Sequence, residues 1–192
     1  MYPEMKILLS EAKNKLTREI IELSREEVLE GMVKDQGWVE VFEMYYPSST
    51  VRLFFDVDAL RLECKAPENI LDLSLKAINA TFGTTDADWA ICCGSREKKV
   101  SYHILSKRYK ITLEALRKVA AKLKSQHSWF DDTLLYISLE SNHELGFLRL
   151  PNQSKDSINK PAPPMTILQG DLADFLLTDI ERLEDFPGLL FK

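Results

Sequence analysis

Two carboxylates, one residue apart, close an apolar run. In "RLFFDVDALRLE", residues 52 to 63, Asp56 and Asp58 follow Leu53, Phe54 and Phe55, with Val57 between the acids. Side chains alternate along a strand, so both acids point to one face and Val57 to the other. Their Cα atoms lie about 6.5 to 7 Å apart in an extended chain. Neighbouring carboxylates at a half-buried strand end repel each other and lose solvation, and a divalent cation removes that cost. Oxygen ligands suit Mg2+ or Mn2+ rather than Zn2+. The same residues also allow an arrangement without metal, in which Asp58 caps a turn and Asp56 pairs with Arg52 or Arg61.

Groups of the opposite kind follow. "KKVSYHILS" sets Lys99, Ser101 and His103 on one strand face and Val100, Tyr102 and Ile104 on the other. All three polar groups can donate to phosphate oxygens. "FLRLPNQSK" adds Arg149 and Lys155 around a polar loop, two cations that suit a polyphosphate. The chain is acidic, at −5, yet Arg96 to Lys124 carries ten Lys or Arg against two Glu, a net +8 that leaves −13 elsewhere. Such a stretch can focus an anion onto one face. A solvated helix face plus a charged turn accounts for the same residues. Tyr109, Trp129 and Phe130 offer stacking surfaces for bases, a use that competes with core packing.

The elements that must position these groups read as α+β. Three- and four-residue spacing of Ile7, Leu8, Ala12, Leu16, Ile20, Leu23 and Leu29 predicts one packing helix or two over residues 4–33, within an N-terminal segment 1–35. "WVEVFEMYY" and "VRLFFDVD" read as strands around the turn "PSST", so residues 38–58 are expected to form a hairpin. A helix follows from Pro67 to about Phe82, stopped by Gly83. "DWAICC" and "VSYHILS" are strands flanking the charged loop "GSREKK". Thr112 caps a helix to about Gln126. "LLYISL" and "GFLRL" are short extended pieces, residues 151–165 a polar proline-containing loop, and Asp171 to Leu183 a last helix.

With 192 residues, 45% of them hydrophobic, the chain can bury one core as a single domain, and a break into two lobes near residues 83–95 is compatible with the sequence. Cys64, Cys92 and Cys93 are odd in number and include no C-x-x-C pair, so neither a disulfide framework nor a zinc site is expected. No apolar run approaches the roughly 18 residues of a membrane span, and Met1 to Lys6 lead into a charged stretch rather than a signal sequence. The expectation is a soluble intracellular protein with no membrane partner.

Taken in order, these motifs resemble the catalytic core of the archaeo-eukaryotic primase superfamily, in the form found in primase-polymerases and in the primase domains of large DNA virus primase-helicases. The first family motif, an apolar strand ending in acid-x-acid, is matched by "LFFDVDA"; the second, Ser-x-His preceded by lysine, by "KVSYH". The third acid is Asp131 or Asp132 of "FDDTLLY", and the family's tyrosine four residues later selects Asp132 with Tyr136. The Arg-Leu element with a lysine six residues on is matched by Arg149 and Lys155, so the likeness runs from about residue 50 to 155. No zinc-binding cysteine cluster follows, and no G-x-x-x-x-G-K-[ST] motif occurs.

The resemblance implies an RRM-like antiparallel sheet flanked by helices. It implies template-dependent nucleotidyl transfer that makes or extends a primer on single-stranded DNA, using nucleoside triphosphates and two Mg2+ or Mn2+ ions. Asp56, Asp58 and Asp132 are then the metal-binding catalytic acids. Lys99, Ser101, His103, Arg149 and Lys155 hold the triphosphate. Arg52, Arg96, Lys98, Lys107 and Arg108 are candidate template contacts, which should make binding weaken with salt. The chain could be one domain of a longer primase-helicase, or work with a helicase in trans, at a viral replication site, in the cytoplasm or in the nucleus. Competing readings are a non-catalytic primase-like module that binds nucleotide or DNA, a metal-dependent D-x-D glycosyltransferase, and a two-metal nuclease.

Overall fold

A computed structural model of the chain describes residues 6–12, 18–33, 41–46, 49–60, 69–97, 99–130, 133, 146–153 and 164–187. These form two sheets and three α-helices, an α+β arrangement.

The first sheet is antiparallel and ordered β2-β1-β3-β7, from β1 (Lys6–Ala12), β2 (Arg18–Ser24), β3 (Phe42–Tyr45) and β7 (Gly146–Arg149). Within residues 1–35 this overturns the expected helix for the described residues before Arg25. The helical spacing there is shared by the doublets Leu8-Leu9 and Ile20-Ile21, which serve a strand equally well. Pairing of Leu9 with Glu43 and Ser10 with Phe42 settles the choice in favour of strand. Helix begins only at α1 (Arg25–Val33), behind a capping box. The Glu27 amide donates to Ser24 Oγ at 3.3 Å, and the Ser24 amide donates to Glu27 Oε2 at 2.8 Å.

The second sheet is ordered β4-β6-β5-β8, from β4 (Thr50–Leu60), β5 (Trp89–Cys93), β6 (Lys99–Thr112) and β8 (Thr166–Gln169), with β9 (Glu184–Asp185) parallel to the far end of β6. The hairpin expected over residues 38–58 is therefore corrected: β3 and β4 are consecutive but belong to different sheets. Turn chemistry between them allowed a hairpin, yet β4 finds its partner in β6 along almost its whole length.

β4 and β5 both run antiparallel to β6, which lies between them. They are thus mutually parallel and joined across one face by α2 (Ile70–Phe82), a split βαβ unit. Gly83 ends α2 at φ 64°, a left-handed conformation that glycine adopts without a Cβ penalty, and its amide reaches Asn79 O at 2.8 Å. β6 leads directly into α3 (Leu113–Gln126), capped as expected: Thr112 Oγ1 accepts from the Ala115 amide at 3.3 Å. Leu116, Val119, Ala120 and Leu123 are buried along it, while Glu114 and Lys118 pair at 2.9 Å on its outer side.

Period-two alternation decides what each face of β4 meets. Phe55 and Val57 point to the helical side, where Phe55 packs on Phe82, Trp89 and Phe130 at centroid distances of 5.8, 6.0 and 5.9 Å. Phe54, Asp56 and Asp58 point the other way, and there Phe54 meets Tyr45 of the first sheet edge-on at 6.1 Å. The acids thus face the side where the two sheets meet.

The last expected helix, Asp171 to Leu183, is also overturned: only Leu172–Phe175 is helical, as a single 3-10 turn, before irregular chain leads to β9. Polar groups buried in the core tie this segment down. Glu43 Oε2 accepts from the Leu177 amide at 2.6 Å, and Oε1 from the Thr178 amide and hydroxyl at 2.8 and 2.5 Å. Backbone groups tied to side chains in this way are unavailable to a helical ladder. β8 lies next to this segment, within a stretch whose short extended nature was not anticipated.

Candidate functional site

Cross-strand register builds the site. Asp56 stands opposite His103, and Asp58 opposite Ser101, with β6 as the shared partner. Directly opposed residues project to the same face of a sheet, so the acids and the Ser-x-His pair share one surface. Lys99, opposite Leu60, reaches back to form an ion pair with Asp58 through Nζ and Oδ2. Asp56, Ser101 and His103 are almost fully buried, while Asp58 and Lys99 lie nearer solvent.

His103 Nε2 lies 3.7 Å from Asp56 Oδ1, beyond hydrogen-bond reach. Burial first, then the positive charge of Arg149, push the imidazole down to about 3, with the Asp58 carboxylate opposing. His103 is therefore neutral at pH 7 and offers one N–H donor and one acceptor.

Arg149 arrives from the other sheet. It pairs with Phe42 in β7, its main-chain carbonyl accepts from the His103 imidazole, and its Nη2 lies within 2.9 Å of where a Gly94 Cβ would sit. Gly94 leaves room for that guanidinium. The Gly94 amide donates to Ser101 O at 2.9 Å, and the Ser101 amide to Ser95 Oγ at 2.9 Å, so the turn after β5 holds the Ser-x-His strand.

Thr133 clamps β4 at the first acid. Its Oγ1 accepts from the Asp56 amide at 2.8 Å and donates to the Asp56 carbonyl at 2.9 Å, all in a buried setting. Sequence reasoning passed over Thr133, Gly94 and Ser95. Their signal was adjacency: Thr133 follows Asp132, and Gly94-Ser95 closes the strand before the basic loop.

The structure thus gathers Asp56, Asp58, Lys99, Ser101, His103 and Arg149. Asp131, Asp132, Tyr136, Lys155 and Lys98 lie outside the described residues. Arg52 is corrected: it is 4% exposed and is no template contact. Its guanidinium donates inward to the carbonyls of Leu176, Ala173 and Asp179 at 3.0, 3.4 and 3.0 Å, in chain that no sheet pairs, and to that of Ser106 at 2.8 Å, beside the β6 bulge. Arg96 sits in the tight turn opposite Lys99, at the site's end of β6. Lys107 and Arg108 lie in a bulge where the β4–β6 register shifts, closed by Ser106 Oγ accepting from the Arg108 and Tyr109 amides. That bulge begins about 13 Å along β6 from His103. Arg108 there pairs with Glu184 at 3.2 Å.

One alternative chemistry is visible in the row Asp56–His103–Cys92 across three strands, the acid, base and thiol of a nucleophilic triad. The thiol argues against it. Cys92 is fully buried, and burial pushes its ionisation up rather than down, the reverse of an activated cysteine.

Two carboxylates on one strand face, with oxygen donors only, fit a hard divalent cation such as Mg2+ or Mn2+. Among the described residues no group of three or more His, Cys, Asp or Glu converges as a metal cage. No described helix is long and apolar enough to cross a membrane. No protein-family model matches the chain, and no curated protein matches it.

Proposed function

We propose that the chain is the catalytic core of a template-dependent nucleotidyltransferase, a DNA primase or primase-polymerase that makes or extends a primer on single-stranded DNA. The observation that carries this reading is the opposition of Asp56 to His103 and Asp58 to Ser101 on paired strands. Acidic and phosphate-donating motifs, far apart in sequence, become one surface on the second sheet, and Arg149 adds a cation from the first. The order β4-α2-β5-β6-α3, with β6 between β4 and β5, supports an RRM-like core.

In this reading Asp56, Asp58 and Asp132 hold two Mg2+ or Mn2+ ions, which supply Lewis acidity at the attacking hydroxyl and the departing phosphates. Thr133, locked to the Asp56 main chain and next to Asp132 in sequence, keeps the first acid in place. Lys99, Ser101, His103, Arg149 and Lys155 line the triphosphate site, and His103 is not the base. The primer 3′-hydroxyl oxygen forms a bond to the α-phosphorus, the bond to the β-phosphate bridge breaks, pyrophosphate leaves, and the hydroxyl proton passes to solvent. Arg96, Lys98, Lys107 and Arg108 remain candidate contacts for template phosphates. A helicase, in a longer chain or in trans, is the expected partner.

A second reading, a non-catalytic nucleotide-binding module, is favoured by the Lys99–Asp58 ion pair, which occupies a carboxylate that catalysis needs. One experiment separates them. The protein is incubated with labelled nucleoside triphosphates, single-stranded DNA and Mg2+ or Mn2+, with and without primer, beside Asp56→Ala. Products lost in the variant support polymerisation, and primer dependence distinguishes extension from initiation. Triphosphate binding without product in any condition supports the module.

A further inference from the structure

The groups assigned to metal and to triphosphate are already engaged with each other. Lys99 Nζ binds Asp58 Oδ2 across the β4–β6 ladder. The Lys99 side chain is 28% exposed and that of Asp58 11%, against 3% for Asp56 and 7% for His103. The ion pair therefore forms the outer rim of the site, and the Asp56–His103 contact its floor.

Charge balance explains the pair. Asp56 and Asp58 share one face two residues apart, where mutual repulsion and lost hydration are costly. The Lys99 ammonium brings compensating charge to Asp58, one of the two carboxylates assigned to metal.

We infer that Lys99 is an internal counter-cation, occupying Asp58 until a divalent metal displaces it and then passing to the triphosphate. This rests on the nucleotidyltransferase reading of the site. Ammonium and metal on one carboxylate repel each other at close range as like charges. Lysine suits such an exchange: it is a compact charge on a flexible four-carbon stem, whereas a bidentate arginine would hold its carboxylate in a fixed fork. Partial exposure leaves the stem room to swing. Competition by Lys99 weakens metal binding when nucleotide is absent. A triphosphate that takes up the ammonium relieves the competition, so metal and nucleotide reinforce each other through this side chain. Couplings of this kind are typically about 5- to 150-fold and reciprocal.

The test is equilibrium binding of Mn2+ to the full chain without nucleotide, followed by electron paramagnetic resonance of the free ion. Wild type, Lys99→Met, Lys99→Gln and Asp56→Asn are compared, with circular dichroism as a check of folding. Removing the ammonium should tighten Mn2+ binding by about tenfold, within that coupling range. The same variants should bind nucleoside triphosphate more weakly, and Asp56→Asn should lose Mn2+. Lys99→Gln keeps a hydrogen-bond donor without the charge and guards against a misfolded Lys99→Met. Unchanged or weaker Mn2+ binding in both Lys99 variants, with Asp56→Asn still defective, overturns the exchange and leaves the site assignment standing. No Mn2+ binding by wild type or either Lys99 variant overturns both.

Discussion

Asp56 and His103 lie side by side in the buried floor of the site, and each has a distinct expected phenotype. Asp56→Ala should abolish nucleotide incorporation while circular dichroism stays native, because the carboxylate's assigned work is to hold metal. Retained incorporation would remove that assignment. His103→Ala should raise the dissociation constant for triphosphate by about tenfold, the loss of roughly one hydrogen bond to a charged group, and change template affinity less. Parallel losses of both affinities would contradict its role. His103 also predicts a pH effect on stability. Its folded-state value near 3 lies below the unfolded 6.5, so between these pH values the unfolded chain binds the extra proton. Stability is thus undiminished by this group above about pH 6.5 and falls as pH drops toward 3. Urea titrations at pH 7 and pH 5 should show a smaller acid-induced loss for His103→Gln than for wild type.

The strands and the chain that clamps them carry their own expectations. Thr133 ties both main-chain groups of Asp56, so Thr133→Val should cost about 1 to 3 kcal/mol by leaving a buried amide and carbonyl unpaired. Thr133→Ser should restore much of it, as denaturant titration would report. A loss of incorporation larger than the loss of folded protein would mark Thr133 as positioning the first acid. Between β3 and β7, Gly146 faces the Tyr45 ring so closely that an added Cβ would lie 2.2 Å from Cε2. Tyr45 is fully enclosed and packs on Phe54, so the ring has no free space to yield into. Gly146→Ala is accordingly a destabilising change even though glycine is normally a poor strand residue.

Buried charge joins the molecule together. Arg52 on β4 and Glu43 on β3 lie in different sheets, yet both grip the chain between Ala173 and Asp179. Arg25 of α1 adds an ion pair to Asp179 at 2.6 Å. Two sheets and a helix are thereby fastened to one irregular segment whose own main chain satisfies few of their needs. Arg52→Ala should destabilise the whole fold by at least about 1 to 3 kcal/mol, since it strands the buried carbonyls that its guanidinium serves. Template affinity of the folded fraction should stay unchanged, measured by DNA titration at low salt. A selective loss of DNA binding with native stability would restore Arg52 as a contact.

Much of the site was legible because its logic is local. Alternation along a strand is covalent geometry, so the shared face of Asp56 and Asp58, and of Lys99, Ser101 and His103, follows from spacing alone. The same holds for the helices ending at Gly83 and capped by Thr112, whose signals lie within a turn of the boundary. Strand partnership is different. Whether β3 joins β4 or β1, whether Ile20-Ile21 lie in helix or hairpin, and whether Arg52 meets DNA or four carbonyls depend on chain far away in sequence. The Lys99–Asp58 contact spans 41 residues, and Thr133 reaches Asp56 across 77. Local patterns are compatible with several such pairings. Burial of Phe54 against Tyr45, and the need to pair every main-chain group between the sheets, select one.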